Sequence, residues 1–188
     1  VLVRINKWYE FISISHLLNR LYHQLYPQTQ IQQVFSLRNH PLRHDFAVVS
    51  MMMGNDYLSK LNYIKVGVMW EEYFKIQQSR GDNLIQQGVF HRDFLIDWSW
   101  AMSRRLAPQF RRLGRFYEQV DVSEYLAGFL WCLEMYHLGL CPKVDYLYEG
   151  SAPSPYEIHH YLTVQKGSLP EIPKSETKAV SHEIYSLL

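Results

Sequence analysis

The sequence predicts an α/β chain that is predominantly helical with a few short strands. Three observations carry that expectation. The first fourteen residues, VLVRINKWYEFISI, are β-branched and aromatic in partial alternation, the pattern of one or two strands. Much of the remainder places apolar residues three and four apart, the spacing of helices with a buried face. One short stretch, NLIQQGVF, turns at Gly88 and reads as a small hairpin.

Taken in order, Ser13 or Ser15 can cap a first helix that runs to about Tyr26 and is stopped by Pro27. Leu17, Leu18, Leu21 and Leu25 form its core stripe. Residues 27–40 are polar and glutamine-rich, a loop with a short helical turn. Pro41 suits the first turn of a second helix, because its missing N–H costs nothing there. That helix is predicted to reach Met53, with Gly54 as a left-handed cap. Its centre, FAVVSMMM, is apolar nearly all round and fits a buried strand as well as a buried helix, since periodicity does not separate the two. Helices are predicted from Gly67 to about Gln78 and over 92–107, the latter ended by Pro108. Asp121 with Glu124 has the form of a capping box, and Gly139 closes the helix it starts. A turn-rich segment, CPKVDYLYEGSAPSPYEI, leads to a short helix near 155–162. KGSLPEIPKSE reads as a linker and Thr177–Leu188 as an amphipathic helix.

Composition narrows the function. With 47% apolar and 20% charged residues over 188 positions, the chain is globular rather than disordered. A net charge of +1 announces no polyanion partner for the chain as a whole, so such a surface must be local. Cys132 and Cys141 provide no disulfide framework and suit a reducing, intracellular compartment: cytoplasm or nucleus, with an organelle left open. No apolar run approaches the ~18 residues of a membrane span, so no membrane partner is expected. The chain begins without Met and directly in a strand-like pattern, as a piece of a longer protein would.

Three features could carry chemistry. The run SMMMGNDYLSKL breaks at Gly54 and presents one carboxylate, Asp56. A hard divalent cation takes oxygen ligands, and a carboxylate just past a helix end is well placed to give one; GND alone is also an ordinary helix stop. SRRLAPQFRRLGR holds Arg104, Arg105, Arg111, Arg112 and Arg115 with no acid, which fits a phosphate-tracking surface or a solvated helical face. The 122–138 helix has two stripes. Leu126, Phe129, Leu130, Leu133 and His137 form a core face, whereas Glu124, Gly128, Trp131 and Met135 face the other way and need another neighbour. Trp131 is therefore either a stacking surface for an unpaired base or core packing. His40 with His44, and His159 with His160, lack the accompanying ligands of a zinc site.

The order of the segments adds a resemblance. HDFAVVSMMMGNDYLSKL resembles the segment of the 5′→3′ exoribonuclease (XRN) family in which an apolar helix delivers a G-N-D-[FY]-L-P turn. IKVGVMWEEYFKIQQ is similar to the helix that follows, and GDNLIQQGVFHRDFLIDWSWAMS to the hairpin and helix after it. VSEYLAGFLWCLEMYHLGLCPKVDYLYEGSAPSP resembles the family's Y-x-x-G-x-x-W helix and its aromatic loop. KWYEFISISHLLNRL fits the strand and helix before the turn, and ETKAVSHEIYSLL the family's closing helix. Three departures are evident: Ser59 replaces the proline, a long insertion is reduced to the arginine-rich stretch, and Glu149–Gly150–Ser151 interrupts the aromatic loop.

The resemblance implies that residues 1–166 are the C-terminal half of an XRN-like nuclease domain of PIN/FEN-like fold. Within it, 1–80 would hold the strand and helix block with the GND turn, 81–120 the hairpin, helix and arginine-rich connection, and 121–166 the aromatic helix and Tyr/Pro loop. Residues 167–188 would be linker and terminal helix. It further implies 5′→3′ exonuclease hydrolysis of 5′-phosphorylated single-stranded RNA, dependent on Mg²⁺ or Mn²⁺. Asp56 would be a catalytic metal ligand, Trp131 a stacking wall, and Arg111 and Arg112 phosphate contacts. The remaining acids would come from the upstream half of the domain or a partner subunit, so this chain alone is expected to be inactive. A non-catalytic RNA-binding or scaffold subunit derived from such a nuclease is the alternative, and a flap-type DNA nuclease a third.

Overall fold

The computed structural model describes residues 2–5, 8–11, 20, 23, 42–108, 120–139 and 141–173. It is mostly helical, in line with the sequence. Strands β1 (Leu2–Ile5) and β2 (Trp8–Phe11) pair antiparallel, with Val3 opposite Glu10. Helix α1 (Leu42–Met51) is followed by α2 (Val66–Arg80), a two-residue antiparallel hairpin of β3 (Ile85–Gln86) and β4 (Val89–Phe90), and α3 (Arg92–Arg104). Helices α4 (Val122–Leu138) and α5 (Pro155–Thr163) complete the described elements. The helix predicted before Pro27, apart from Arg20 and His23, which are helical, and the helix predicted over Thr177–Leu188, the 27–40 loop and Arg111, Arg112 and Arg115 lie outside the described residues.

Local chemistry accounts for most boundaries. Gly81 and Gly139, at φ +73° and +67°, close α2 and α4 in the left-handed conformation that a Cβ disfavours. Asp121 accepts the Glu124 N–H at 2.9 Å and starts α4. Ser154 and Glu157 form a reciprocal capping box for α5, with Pro155 at its first turn. In the hairpin, Gln87 and Gly88 both have positive φ, the signature of a type I′ turn whose twist matches the strands. The apolar run FAVVSMMM is helical only as far as Met51, two residues short of the expected end. Backbone turns close it, with the N–H groups of Met53 and Gly54 donating to Ser50 and Met51.

The core joins α1 to α4, α3 to α2 and α5, and α5 to α4. Trp98 and Tyr73 are fully buried at its centre, and the Trp98 indole N–H donates to the Met69 carbonyl at 3.0 Å. Arg92 clamps the end of α5 by donating to the carbonyls of Leu162 and Gly167. Arg105 reaches Glu72 at 2.6 Å and Glu71 at 3.1 Å, tying the end of α3 to α2. This arginine of the basic stretch is thus committed to an intramolecular ion pair.

One buried charge organises the first half of the described chain. Asp45 lies on the same face of α1 as Leu42, Val48, Val49 and Met52, and is fully buried. Its carboxylate accepts the Tyr73 hydroxyl at 2.8 Å, the Leu84 N–H at 2.8 Å and the Ile85 N–H at 2.7 Å. Helix α1, helix α2 and the hairpin are joined through one side chain. Burial raises its pKa from 3.8 to about 6, with the three donors pulling the other way. Between those values the folded chain holds a proton that the unfolded chain has released, so this group's contribution to stability falls as pH rises from 3.8 to about 6 and is level above it. Asp45→Ala strands two buried backbone N–H groups, at ~1–3 kcal/mol each, and is expected to destabilise by about 2–5 kcal/mol. Asp45→Asn should flatten the pH slope. Urea unfolding of the three proteins at pH 4, 5, 6 and 7 measures both effects.

Candidate functional site

The GND turn follows from three constraints. Gly54 has φ +99°, which favours glycine, and a Cβ there would sit tightly, 3.3 Å from the Lys60 backbone nitrogen. Asn55 then folds the turn on itself. Its side-chain oxygen accepts the N–H groups of Tyr57 at 2.9 Å and Leu58 at 2.8 Å, and its own N–H donates to the Leu58 carbonyl at 3.0 Å. Its amide donates to Cys132 Sγ on α4 at 3.7 Å. The turn is finally pinned to the core: Leu58 is buried, and Leu61 N–H donates back to Met52.

Helix α4 is shaped to receive it. A Cβ on Gly128 would sit 2.7 Å from a Leu58 methyl, so the missing side chain is the seat of Leu58. The close approach that Gly128 permits is made by this chain's own residues. Tyr125 adds a hydroxyl that donates to the Ser59 carbonyl at 2.6 Å. Ser59, which stands where the resemblance wants proline, thus contributes its backbone rather than its side chain.

Asp56 is exposed at the crest of this turn and makes no hydrogen bond or ion pair among the described residues. It is flanked by two exposed rings, Tyr57 at 45% and Tyr136 at 62%. Partial burial, followed by the neighbouring Cys132, Tyr57 and Asp56, pushes the Tyr136 hydroxyl above the ordinary tyrosine range. Among the described residues, no three His, Cys, Asp or Glu side chains come together as a metal-holding group. Asp56 supplies the right kind of donor for a hard cation, a solvent-facing carboxylate, and one of the several that such an ion requires.

The second stripe of α4 is not an open face. Trp131 is only 3% exposed, its ring 5.3 Å from Tyr57 edge-on and 5.3 Å from Tyr146 in a tilted stack. Its indole N–H donates to the Lys143 carbonyl at 2.9 Å. Base stacking needs an accessible ring face, and here both sides of Trp131 have intramolecular neighbours. The outward ring beside it is Tyr57, a residue that sequence reasoning passed over because it follows the more conspicuous Asp56. His137, assigned to the core stripe, is exposed and packs edge-on against His44 at 5.0 Å. His159 is half-buried 4.9 Å from Trp100.

Comparison with models of protein families and with curated proteins finds no match to this chain. No described helix is long and apolar enough to cross a membrane.

Removing the Trp131 ring would open a large cavity beneath the turn. Trp131→Ala is expected to cost about 3–5 kcal/mol of stability, read as a lower urea midpoint. A change within ~0.5 kcal/mol, the range of ordinary surface substitutions, would instead mark the ring as dispensable to packing.

Proposed function

We propose that this chain is the C-terminal half of an XRN-like nuclease domain, of PIN/FEN-like fold. In the complete protein it would take part in metal-dependent 5′→3′ hydrolysis of 5′-phosphorylated single-stranded RNA. One observation supports the reading beyond the order of sequence blocks: an exposed carboxylate, Asp56, stands on a turn that Asn55, Leu58 and the Ser59 carbonyl fasten to helix α4. Metal ligation tolerates little positional wander, and such a mount supplies the rigidity.

In this reading Asp56 contributes one oxygen ligand, and acids from the upstream half of the domain or a partner subunit contribute the others. Bound Mg²⁺, or Mn²⁺ in its place, would activate a water molecule and neutralise charge on the leaving oxygen. Tyr57, rather than Trp131, offers a ring to a substrate base beside the scissile phosphate. Trp131 supports Tyr57 from beneath. Arg111 and Arg112 would meet phosphates further along the strand.

The test uses the complete protein and a 5′-phosphorylated oligoribonucleotide. Asp56→Ala is expected to abolish turnover while leaving the fold and RNA affinity largely intact, because the side chain is exposed and makes no described contact. Tyr57→Ala is expected to weaken RNA binding by ~1–3 kcal/mol, a loss that persists at high salt because stacking releases no counterions. Unchanged turnover in Asp56→Ala would return the turn to simple helix punctuation. Absence of turnover in the unmutated complete protein, with RNA binding retained, would favour the non-catalytic binding subunit.

A further inference from the structure

Helix α4 carries a row of residues four apart: Gly128, Cys132 and Tyr136. The GND turn lies along that row. Leu58 sits over Gly128 and the Asn55 amide reaches Cys132, so the turn runs antiparallel to the helix. Tyr136 is the next position in the row, one helical turn or ~5.4 Å beyond Cys132. Its ring therefore stands beside the crest, where the charge of Asp56 bears on its hydroxyl. A further side chain starts close by. Lys60 is exposed, and a Cβ on Gly54 would lie 3.4 Å from the Lys60 Cβ, which puts this lysine at the foot of the turn.

Five tyrosines surround this part of α4, and they divide in two. Tyr125, Tyr146 and Tyr148 are buried or half-buried, and their hydroxyls donate to the backbone carbonyls of Ser59, Glu124 and Ser151. Tyr57 and Tyr136 are exposed, and neither hydroxyl makes a hydrogen bond among the described residues. These two are the pair beside Asp56. An exposed hydroxyl is satisfied by water and demands nothing. An exposed ring leaves a flat apolar face in water, and Tyr136 is the most exposed Tyr, Trp or Phe among the described residues. Lys60 makes no ion pair or hydrogen bond among them either.

Exposed rings beside an unpaired cation form the combination that binds single-stranded nucleic acid, because bases stack on the rings while cations follow the phosphates. A duplex keeps its base faces inside the stack and gives the rings nothing to cover them. A stable protein partner would want a far broader area than two rings supply. We propose that Tyr136 and Lys60 are further RNA contacts of the Asp56 site: Tyr136 joins Tyr57 in stacking on the bases of a single strand, and Lys60 meets a neighbouring phosphate. The inference rests on the reading of this crest as an RNA site, and not on hydrolysis.

The experiment measures binding of two strands to the complete protein at several salt concentrations, in EDTA so that turnover does not intrude. One strand is a 5′-phosphorylated oligoribonucleotide and the other an abasic oligomer of the same length. Tyr136→Ala is expected to weaken binding of the first about tenfold at every salt concentration and to leave the abasic strand unchanged. Tyr136→Phe keeps the ring and should bind within about twofold of the unmutated protein. Lys60→Ala should weaken binding of both strands and lower the slope of log affinity against log salt by ~0.7, the value for one phosphate contact on a single strand. Both side chains are exposed, so each variant should melt as the unmutated protein does. Unchanged RNA affinity in Tyr136→Ala would overturn the stacking contact. So would an equal loss in Tyr136→Phe, which assigns the contact to the hydroxyl. An unchanged salt slope in Lys60→Ala would overturn the phosphate contact, and no binding of either strand would overturn both. Absence of turnover in Mg²⁺ with these binding losses intact would sink the nuclease reading alone. Loss of turnover in Asp56→Ala, with affinity unmoved in Tyr136→Ala and Lys60→Ala, would sink the present inference alone.

Discussion

The buried carboxylate of Asp45 is the constraint on which the first half of the molecule depends. A charge taken out of water needs donors, and here they come from three places: a tyrosine on α2 and two backbone N–H groups at the start of the hairpin. Satisfying them draws α1, α2 and β3 to one point. Their mutual arrangement is therefore set by hydrogen-bond direction as well as by apolar packing, which is non-directional. A core of Val, Met and Leu alone would tolerate a sliding helix; a core with one three-donor carboxylate does not. The penalty is visible in the raised pKa, so the chain trades some stability for a fixed geometry.

Both ends of α1 use that geometry. The helix is ten residues long, ~15 Å at the usual rise, and it ends where the GND turn begins. At its other end His44 faces the hairpin that Asp45 holds. Helix α4 plays the complementary part. It is buried at the middle of both stripes, receiving Leu58 at Gly128, the Asn55 amide at Cys132 and the Ser59 carbonyl at Tyr125. The crest of the turn, Asp56 with Tyr57, projects from a foundation made by two helices that are distant in sequence.

Much of this was legible in the sequence. Gly54, Gly88 and Gly139 each marked a chain reversal, because positive φ is a local property. The hairpin, α2, α3, α4 and α5 appeared within a few residues of their expected bounds for the same reason. What sequence reasoning missed is tertiary. Helical spacing puts Trp131 on a second stripe that needs another neighbour and leaves base stacking and core packing both open; it cannot see that Tyr57 and Tyr146 arrive to cover the ring from 74 and 15 residues away. Asp45 left a signal that went unread: an acid at the i+3 position of an otherwise apolar stripe of Leu42, Val48, Val49 and Met52. Such a residue must either stay in water or find buried donors, and its partners at Leu84 and Ile85 lie too far along the chain for any local pattern. Asp56 was legible as a turn carboxylate, but no spacing rule supplies the chemistry around it.

Cys132 gives the arrangement a built-in gauge. Its thiol is fully buried beneath the Asn55 amide, and burial pushes its pKa up to about 11. Alkylating reagents attack the thiolate, so at neutral pH this sulfur is protected twice, by access and by protonation. Cys141 is half-buried and lies outside that seal. The lag between modification of the two sulfurs is thus a clock for the lifting of the turn from α4, kept by the chain's own atoms. It reports how long Asp56 stays in position between openings, a quantity that neither packing nor hydrogen-bond distances contain.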